Sequence, residues 1–360
     1  MTVATVAILG AGAMGSALAT PAAGAGNRVR LWGTWLDGDL LGKLRAGRPH
    51  PRTGVPLAPG VGLHDAGDLA AALDGADLVA VAISSDGVLE VVRRAAAGLV
   101  PGTPLLLCTK GFGRGPGGAV DLLPPLVAAA LGPLEAACPV VAVGGPCKAN
   151  EVAAGRPTAA VFAGADEAVV ASCAQALTTP AYRVACSGDL PGVEAAAATK
   201  NVYAIAVGIC HGLTEAGGEP WHDLAAATFT QGVAEMRGLA VAVGGREETV
   251  LGLAGLGDLE VTSLSGRNRV FGARVGRGEP PADALAAMAA AGQTVEGVPA
   301  ARLARDLAVR VGLDPPGDLP LLEAVNRILD GAPDPAALVA EAVLPTPGPP
   351  RPTGGPPRPG

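Results

Sequence analysis

Through the first half of the chain, short apolar runs alternate with stretches of helical period. Thr5–Leu9, Asn27–Trp32, Ala76–Ile83, Thr103–Cys108, Pro139–Val143, Thr158–Ala163 and Tyr182–Cys186 read as strands. Ala76–Ile83 has the near-continuous apolar character of a parallel strand buried on both faces. Ser16–Ala25, Asp65–Leu73 and Gly87–Ala97 read as helices between them, and Gly47–Gly62 as a loop. This alternation predicts an α/β fold with a doubly wound parallel sheet over residues 1–188. The pattern then changes. Val193–His211, Asp223–Val243, Pro281–Ala291, Val298–Val311 and Leu319–Leu329 are all of helical period, which predicts an all-helical domain over residues 189–344. The boundary falls at Ser187–Pro191. Pro345–Gly360, rich in proline and glycine, is expected to be a disordered tail. A chain of 360 residues fits two domains, and no internal repeat is found.

The first strand runs into Gly10-Ala11-Gly12-Ala13-Met14-Gly15, which opens the first helix. This is the dinucleotide fingerprint. Gly10 permits the tight turn, Gly12 lets a pyrophosphate approach the backbone, and Gly15 lets helix and sheet pack closely. Free N–H groups at the helix start would face the phosphates. The acidic residue that reads a ribose 2′-hydroxyl is missing from the end of the second strand, where Trp32 is followed by Gly33 and Thr34, and Asp37 comes late. The choice between NAD and NADP therefore stays open. Arg45 and Arg48 could meet a 2′-phosphate or lie on a solvated helix.

Three further places can carry chemistry. Thr109-Lys110-Gly111 ends the strand Thr103–Cys108, at the edge where open parallel sheets bind ligands. Lys200, beside Asn201, interrupts an apolar helix; burial would lower its pKa and suit it to proton transfer, whereas a surface lysine is the simpler alternative. Gly255-Leu256-Gly257-Asp258-Leu259 sets one carboxylate among glycines, and Arg267-Asn268 follows just before a helix, a position that suits a phosphate. Glu296 lies in the loop Gln293–Gly297, and Cys147 reads as a buried or substrate-lining thiol with no base near it in sequence.

The net charge of −7 and the scattered basic residues argue against a nucleic-acid partner. No run of strongly apolar residues is long enough to predict a membrane span. The N-terminus has no basic n-region, so no signal peptide is expected. Six cysteines without a C-x-x-C pair, and four histidines without ligand spacing, predict reduced thiols and no metal site.

The motifs together resemble the soluble NAD(P)-dependent glycerol-3-phosphate dehydrogenases, in order and spacing from residue 5 to about 330. They are Gly10–Gly15, Thr109-Lys110-Gly111, Gly145-Pro146 with Glu151, Lys200-Asn201-Val202, Gly255–Leu259, Arg267-Asn268 and Val295-Glu296-Gly297. The resemblance implies a Rossmann-type domain followed by an all-helical one. It implies NAD or NADP as cofactor, and reversible hydride transfer between the nicotinamide and carbon 2 of dihydroxyacetone phosphate. It further implies supply of glycerol 3-phosphate for phospholipid synthesis, and a cytoplasmic homodimer. By the same resemblance Lys200 is the general acid/base, Lys110 touches both cofactor and substrate, and Asp258 supports the site lysine. Arg267 and Asn268 clamp the substrate phosphate; Gly145, Cys147 and Asn201 line the substrate; Ala149, Thr294 and Glu296, with Arg267, border the cofactor.

Four positions depart from the family pattern. Cys147 stands where Ser or Thr is usual. Asn150 replaces a lysine, with Lys148 two positions earlier. Gly266 replaces a serine, with Ser265 one position earlier, and Gln231 replaces an arginine. These departures motivate an alternative reading, a paralogous dehydrogenase acting on another phosphorylated ketone or a small hydroxy acid. A cofactor-binding sensor without catalysis is a third reading, opposed by the presence of Lys110, Lys200, Asp258 and Arg267.

Overall fold

In the computed structural model, residues 3–345 are described. The expected tail, apart from Pro345, lies outside them. The strands are β1 (Thr5–Leu9), β2 (Arg28–Trp32), β3 (Gly62–His64), β4 (Leu78–Val81), β5 (Leu105–Leu107), β6 (Phe112–Arg114), β7 (Val120–Leu122), β8 (Val140–Gly144), β9 (Thr158–Ala163) and β10 (Tyr182–Ser187). Eight of them form one sheet in the order β3-β2-β1-β4-β5-β8-β9-β10. The order reverses direction between β1 and β4, which opens a crevice at the carboxyl ends of those two strands. Val, Leu and Ala fill both faces of the sheet, with Phe162 and Leu18 on one and Trp32 and Leu107 on the other.

The sheet is mixed, a correction to the all-parallel expectation. β9 runs antiparallel to β8, with Ala142 opposite Ala163. The reason is the connection between them. Its helix, Ala149–Ala153, has only five residues and spans about 7.5 Å, less than half the length of a five-residue strand, about 16 Å. The chain cannot travel back to the start of β8, so β9 begins at the end where β8 finished.

Several elements escaped the sequence pattern: β3, the β6–β7 hairpin, and the helices Gly38–Arg45, Leu123–Ala130, Glu167–Leu177 and Pro335–Val343. The hairpin is the informative one. Its Phe112, Val120 and Leu122 bury their side chains in the core of the helical half rather than in the sheet's own core. Arg114 reinforces this docking through a 2.6 Å contact with Asp306.

The helical half is built around Leu190–Gly217, 28 residues long. By length and composition this helix could span a membrane, but its apolar window is wholly buried inside the fold. It crosses the helix Arg267–Gly276 at backbone contact. Gly208 and Gly212 on one helix face Gly272 and Gly276 on the other, each pair one turn apart. A Cβ on Gly272 would lie 2.1 Å from the Ile205 carbonyl oxygen, and one on Gly208 2.3 Å from that of Arg269. No side chain fits between these backbones, so the crossing fixes Asn268 against Asn201.

Candidate active site

The crevice is lined in turn by the segments that follow β1, β4, β5 and β8. After β1, Gly10 takes a positive φ of 108°, and a Cβ there would stand 2.6 Å from the Ala82 carbonyl oxygen just past β4. Gly15 is equally constrained, since its Cβ would fall 1.9 Å from the Gly10 carbonyl oxygen. Gly12 differs: the space beside it is open. It caps the helix Ala13–Gly24 without any side-chain hydrogen bond, and the first turn carries no acidic residue. Unclaimed N–H groups facing open space at a helix N-terminus fit a pyrophosphate. Ala13 and Met14 form the first turn of that helix. At the end of β2, the Asp37 carboxylate accepts from the Thr34 N–H and hydroxyl, both at 2.8 Å, and Arg45 is paired with Asp65 at 2.6 Å. Both side chains are engaged in local contacts.

One strand further, the Thr109 hydroxyl donates to the Ile83 carbonyl at 2.7 Å, tying the end of β5 to that of β4. This fixes the turn that carries Lys110. The Lys110 ammonium donates to Asp258 Oδ2 at 2.6 Å and to the Gly145 carbonyl at 3.3 Å. Lys200, from the long helix, donates to the other oxygen, Asp258 Oδ1. Asp258 begins the helix Asp258–Ser265, presented by a π-helical turn over Leu253–Gly257, and is 1% exposed. Two ammonium groups from opposite halves of the chain thus share one buried carboxylate.

Their pKa values separate. Burial pulls that of Lys200 down, Asp258 opposes this, and the neighbouring Lys110 charge adds to it, leaving Lys200 at about 8. Burial also works against the Lys110 charge, but Asp258 outweighs it and holds Lys110 above the ordinary lysine value. One carboxylate cannot neutralise two ammonium groups, and Lys200 is the one that gives up its proton near physiological pH.

Arg267 and Asn268 diverge. Asn268 is buried; its amide nitrogen donates to Asn201 Oδ1 at 2.8 Å and its oxygen accepts from the Gly297 N–H at 2.9 Å. Arg267 points outward, donating to the Thr294 hydroxyl at 2.6 Å and lying 3.6 Å from Glu296. The helix start at Arg267, capped by Gly266 without a side-chain bond, leaves its N–H groups available. Cys147 lies 3.8 Å from the Ala159 carbonyl and 3.9 Å from the Tyr182 hydroxyl. Burial keeps its pKa raised, so it is a thiol and a poor nucleophile. Lys148, next in the chain and just ahead of Ala149, donates to Ser265 at 2.6 Å, joining the segment after β8 to the end of the Asp258 helix. The two displaced polar residues therefore meet each other. Asn150 is exposed. Gln231 is turned toward Glu235, to which it donates at 2.8 Å.

Two family models cover most of this architecture. The N-terminus of NAD-dependent glycerol-3-phosphate dehydrogenase matches residues 5–170, and its C-terminus matches residues 189–340. The chain belongs to the NAD-dependent glycerol-3-phosphate dehydrogenase family. Among its relatives, the glycerol-3-phosphate dehydrogenase [NAD(P)+] of Mesorhizobium japonicum is 38% identical over 330 residues, covering 91% of this chain and 88% of the relative. The NADP(+)-dependent glycerol-3-phosphate dehydrogenase of Archaeoglobus fulgidus is 34% identical over 328 residues, covering 90% and 94%. The crystal structure of glycerol-3-phosphate dehydrogenase from Coxiella burnetii superposes with a TM-score of 0.81 at 33% identity, covering 94% of this chain and 98% of that one.

One buried group of this family member went unnoticed in the sequence. Glu194, six residues before Lys200 on the same helix, is fully buried. Neither of its carboxylate oxygens has a hydrogen-bond partner. The available signal was a charged residue inside an apolar helical run, the same signal that singled out Lys200.

Proposed function

We infer that this chain catalyses the NAD(P)-dependent interconversion of sn-glycerol 3-phosphate and dihydroxyacetone phosphate. The observation that carries the reading is the pair of buried lysines on one carboxylate, at the crevice lined by the glycine turn. When bound, the nicotinamide supplies or accepts the hydride at carbon 2. The chain's own residues handle the proton and the charge. Lys200, poised near neutrality, gives its proton to the developing alkoxide in reduction and takes it back in oxidation. Lys110 keeps its charge throughout and stabilises negative charge on that oxygen. Asp258 orients both ammonium groups. Asn268 braces Asn201 toward the site, and Arg267 with the free N–H groups of its helix receives the phosphate. Gly12 with Ala13, Met14 and Ala149 borders the dinucleotide, and Thr294 and Glu296 hold Arg267 at the cofactor side. Cys147 and the Gly145 carbonyl border the substrate.

The test is an assay of the folded protein with dihydroxyacetone phosphate and NADH or NADPH, beside a panel of other phosphorylated ketones and small hydroxy acids. Turnover with dihydroxyacetone phosphate as the best substrate is expected. A clearly better compound would overturn the substrate assignment, and no oxidation of either cofactor would overturn the activity. Supply of glycerol 3-phosphate to phospholipid synthesis, a cytoplasmic location and a homodimer belong to the same proposal and rest on family resemblance; light scattering giving twice the chain mass is the expected result for the last.

A further inference from the structure

We infer that Glu194 is a positioning residue for the site, an uncharged carboxyl held behind the Lys110–Gly111 turn so that Lys110 stays committed to Asp258 and the cluster keeps a net positive charge. This rests on the functional reading above. The geometry is unusual for an acid. Glu194 is fully buried on the helix that carries Lys200, and both carboxylate oxygens lack partners. A carboxylate ion left so would forfeit its hydration with nothing in return, and the inexpensive alternative is to keep its proton. Burial pushes its pKa up to about 8; the Lys110 charge and the Gly111 backbone N–H, the two groups that act on it, only partly oppose this.

Charge counting gives the consequence. With Glu194 neutral, Lys110, Lys200 and Asp258 sum to +1, which favours an anionic phosphate ester and the alkoxide formed from it. With Glu194 ionised the sum is zero, and a second carboxylate competes with Asp258 for the Lys110 ammonium. The protonated acid therefore keeps the site cationic without taking a hydrogen bond from either lysine.

The experiment measures kcat and KM for dihydroxyacetone phosphate from pH 6.5 to 9.5 in the wild-type protein and in Glu194→Gln and Glu194→Ala. In the wild type, KM should rise above pH 8, by about five- to tenfold for one unit of charge near a doubly charged ester. In Glu194→Gln, an uncharged mimic, that rise should shrink to the part due to Lys200, while the kcat limb set by Lys200 remains. Glu194→Ala should lose kcat/KM at every pH, and the amide should rescue it relative to Ala. A Glu194→Gln KM profile that superimposes on the wild type overturns the proposal. A measurement on the wild type alone guards against a variant that does not fold: KM for unphosphorylated dihydroxyacetone should stay flat where that of the phosphate ester rises, and parallel rises overturn the proposal. Wild-type turnover of dihydroxyacetone phosphate at pH 7 tests the functional reading separately.

Discussion

Replacing Asp258 by Asn tests how the two lysines divide their labour. The carboxylate is 1% exposed and accepts from Lys110 at 2.6 Å and from Lys200. An amide of the same shape keeps one acceptor, carries no charge and sets an NH₂ donor against an ammonium. Burial and the Lys110 charge both push the Lys200 proton off, and Asp258 is the main force holding it on. Removing the counter-ion of a buried pair costs about 3–5 kcal/mol. The lower figure is worth about two pH units of proton affinity, so Lys200 falls from about 8 to about 6. Near pH 7.5 the protonated fraction drops from roughly three-quarters to a few per cent. Reduction of dihydroxyacetone phosphate at that pH should fall by about 30-fold from proton loss alone, and its optimum should move about two pH units toward acid. Oxidation of glycerol 3-phosphate, which needs Lys200 neutral, should fall far less. Initial rates in both directions from pH 5.5 to 9.5 measure this. Equal losses in both directions with an unmoved profile would mean that Asp258 is scaffold only, and the proton assignment to Lys200 would fail.

Gly12→Ala should leave the melting temperature within a degree of wild type, because open space surrounds the new methyl group, yet raise KM for the dinucleotide at least tenfold by occupying its approach; an unchanged KM would remove the glycine turn from cofactor binding. Gly272→Ala should lower the melting temperature by several degrees, since its methyl would meet the Ile205 carbonyl oxygen at 2.1 Å and overpacking costs about 1–3 kcal/mol; calorimetry showing no shift would refute the close crossing. Glu235, 2% exposed, caps the helix Pro320–Leu329 by accepting from the Leu321 and Leu322 N–H groups at 2.6 and 2.9 Å. Burial raises its pKa from 4.5 to about 7, so its contribution is fully present below pH 4.5 and is lost as pH rises through 7. The separation of about 2.5 pH units is worth roughly 3 kcal/mol; melting temperatures should fall from pH 5 to 8 in the wild type and fall less in Glu235→Gln, and equal slopes would refute the assignment.

The sequence by itself determined the strand–glycine–helix entry, because strand length, positive φ and close approach are local demands that only Gly10, Gly12 and Gly15 satisfy. It also determined the change from alternating to helical pattern near residue 188, since periodicity records which face each segment must bury. Lys110, Lys200 and Asp258 were legible as candidates: a charge among apolar residues or at the end of a strand needs an explanation wherever it falls.

Tertiary structure alone decided what those residues do together. Lys110 and Asp258 are 148 residues apart, and no local rule states that they share a carboxylate with Lys200. Asn268 and Arg267 are neighbours in sequence, yet helix geometry sends one inward to Asn201 and the other outward to Thr294. The antiparallel β9 followed from a connection too short to return, and the β6–β7 hairpin joined the other half's core because its three apolar side chains are buried there. Gly208, Gly212, Gly272 and Gly276 read locally as helix-weakening residues; only the crossing of two backbones gives them a purpose. Glu194 carried the same local signal as Lys200, and only the absence of any partner around it distinguishes a neutral buried acid from a paired one.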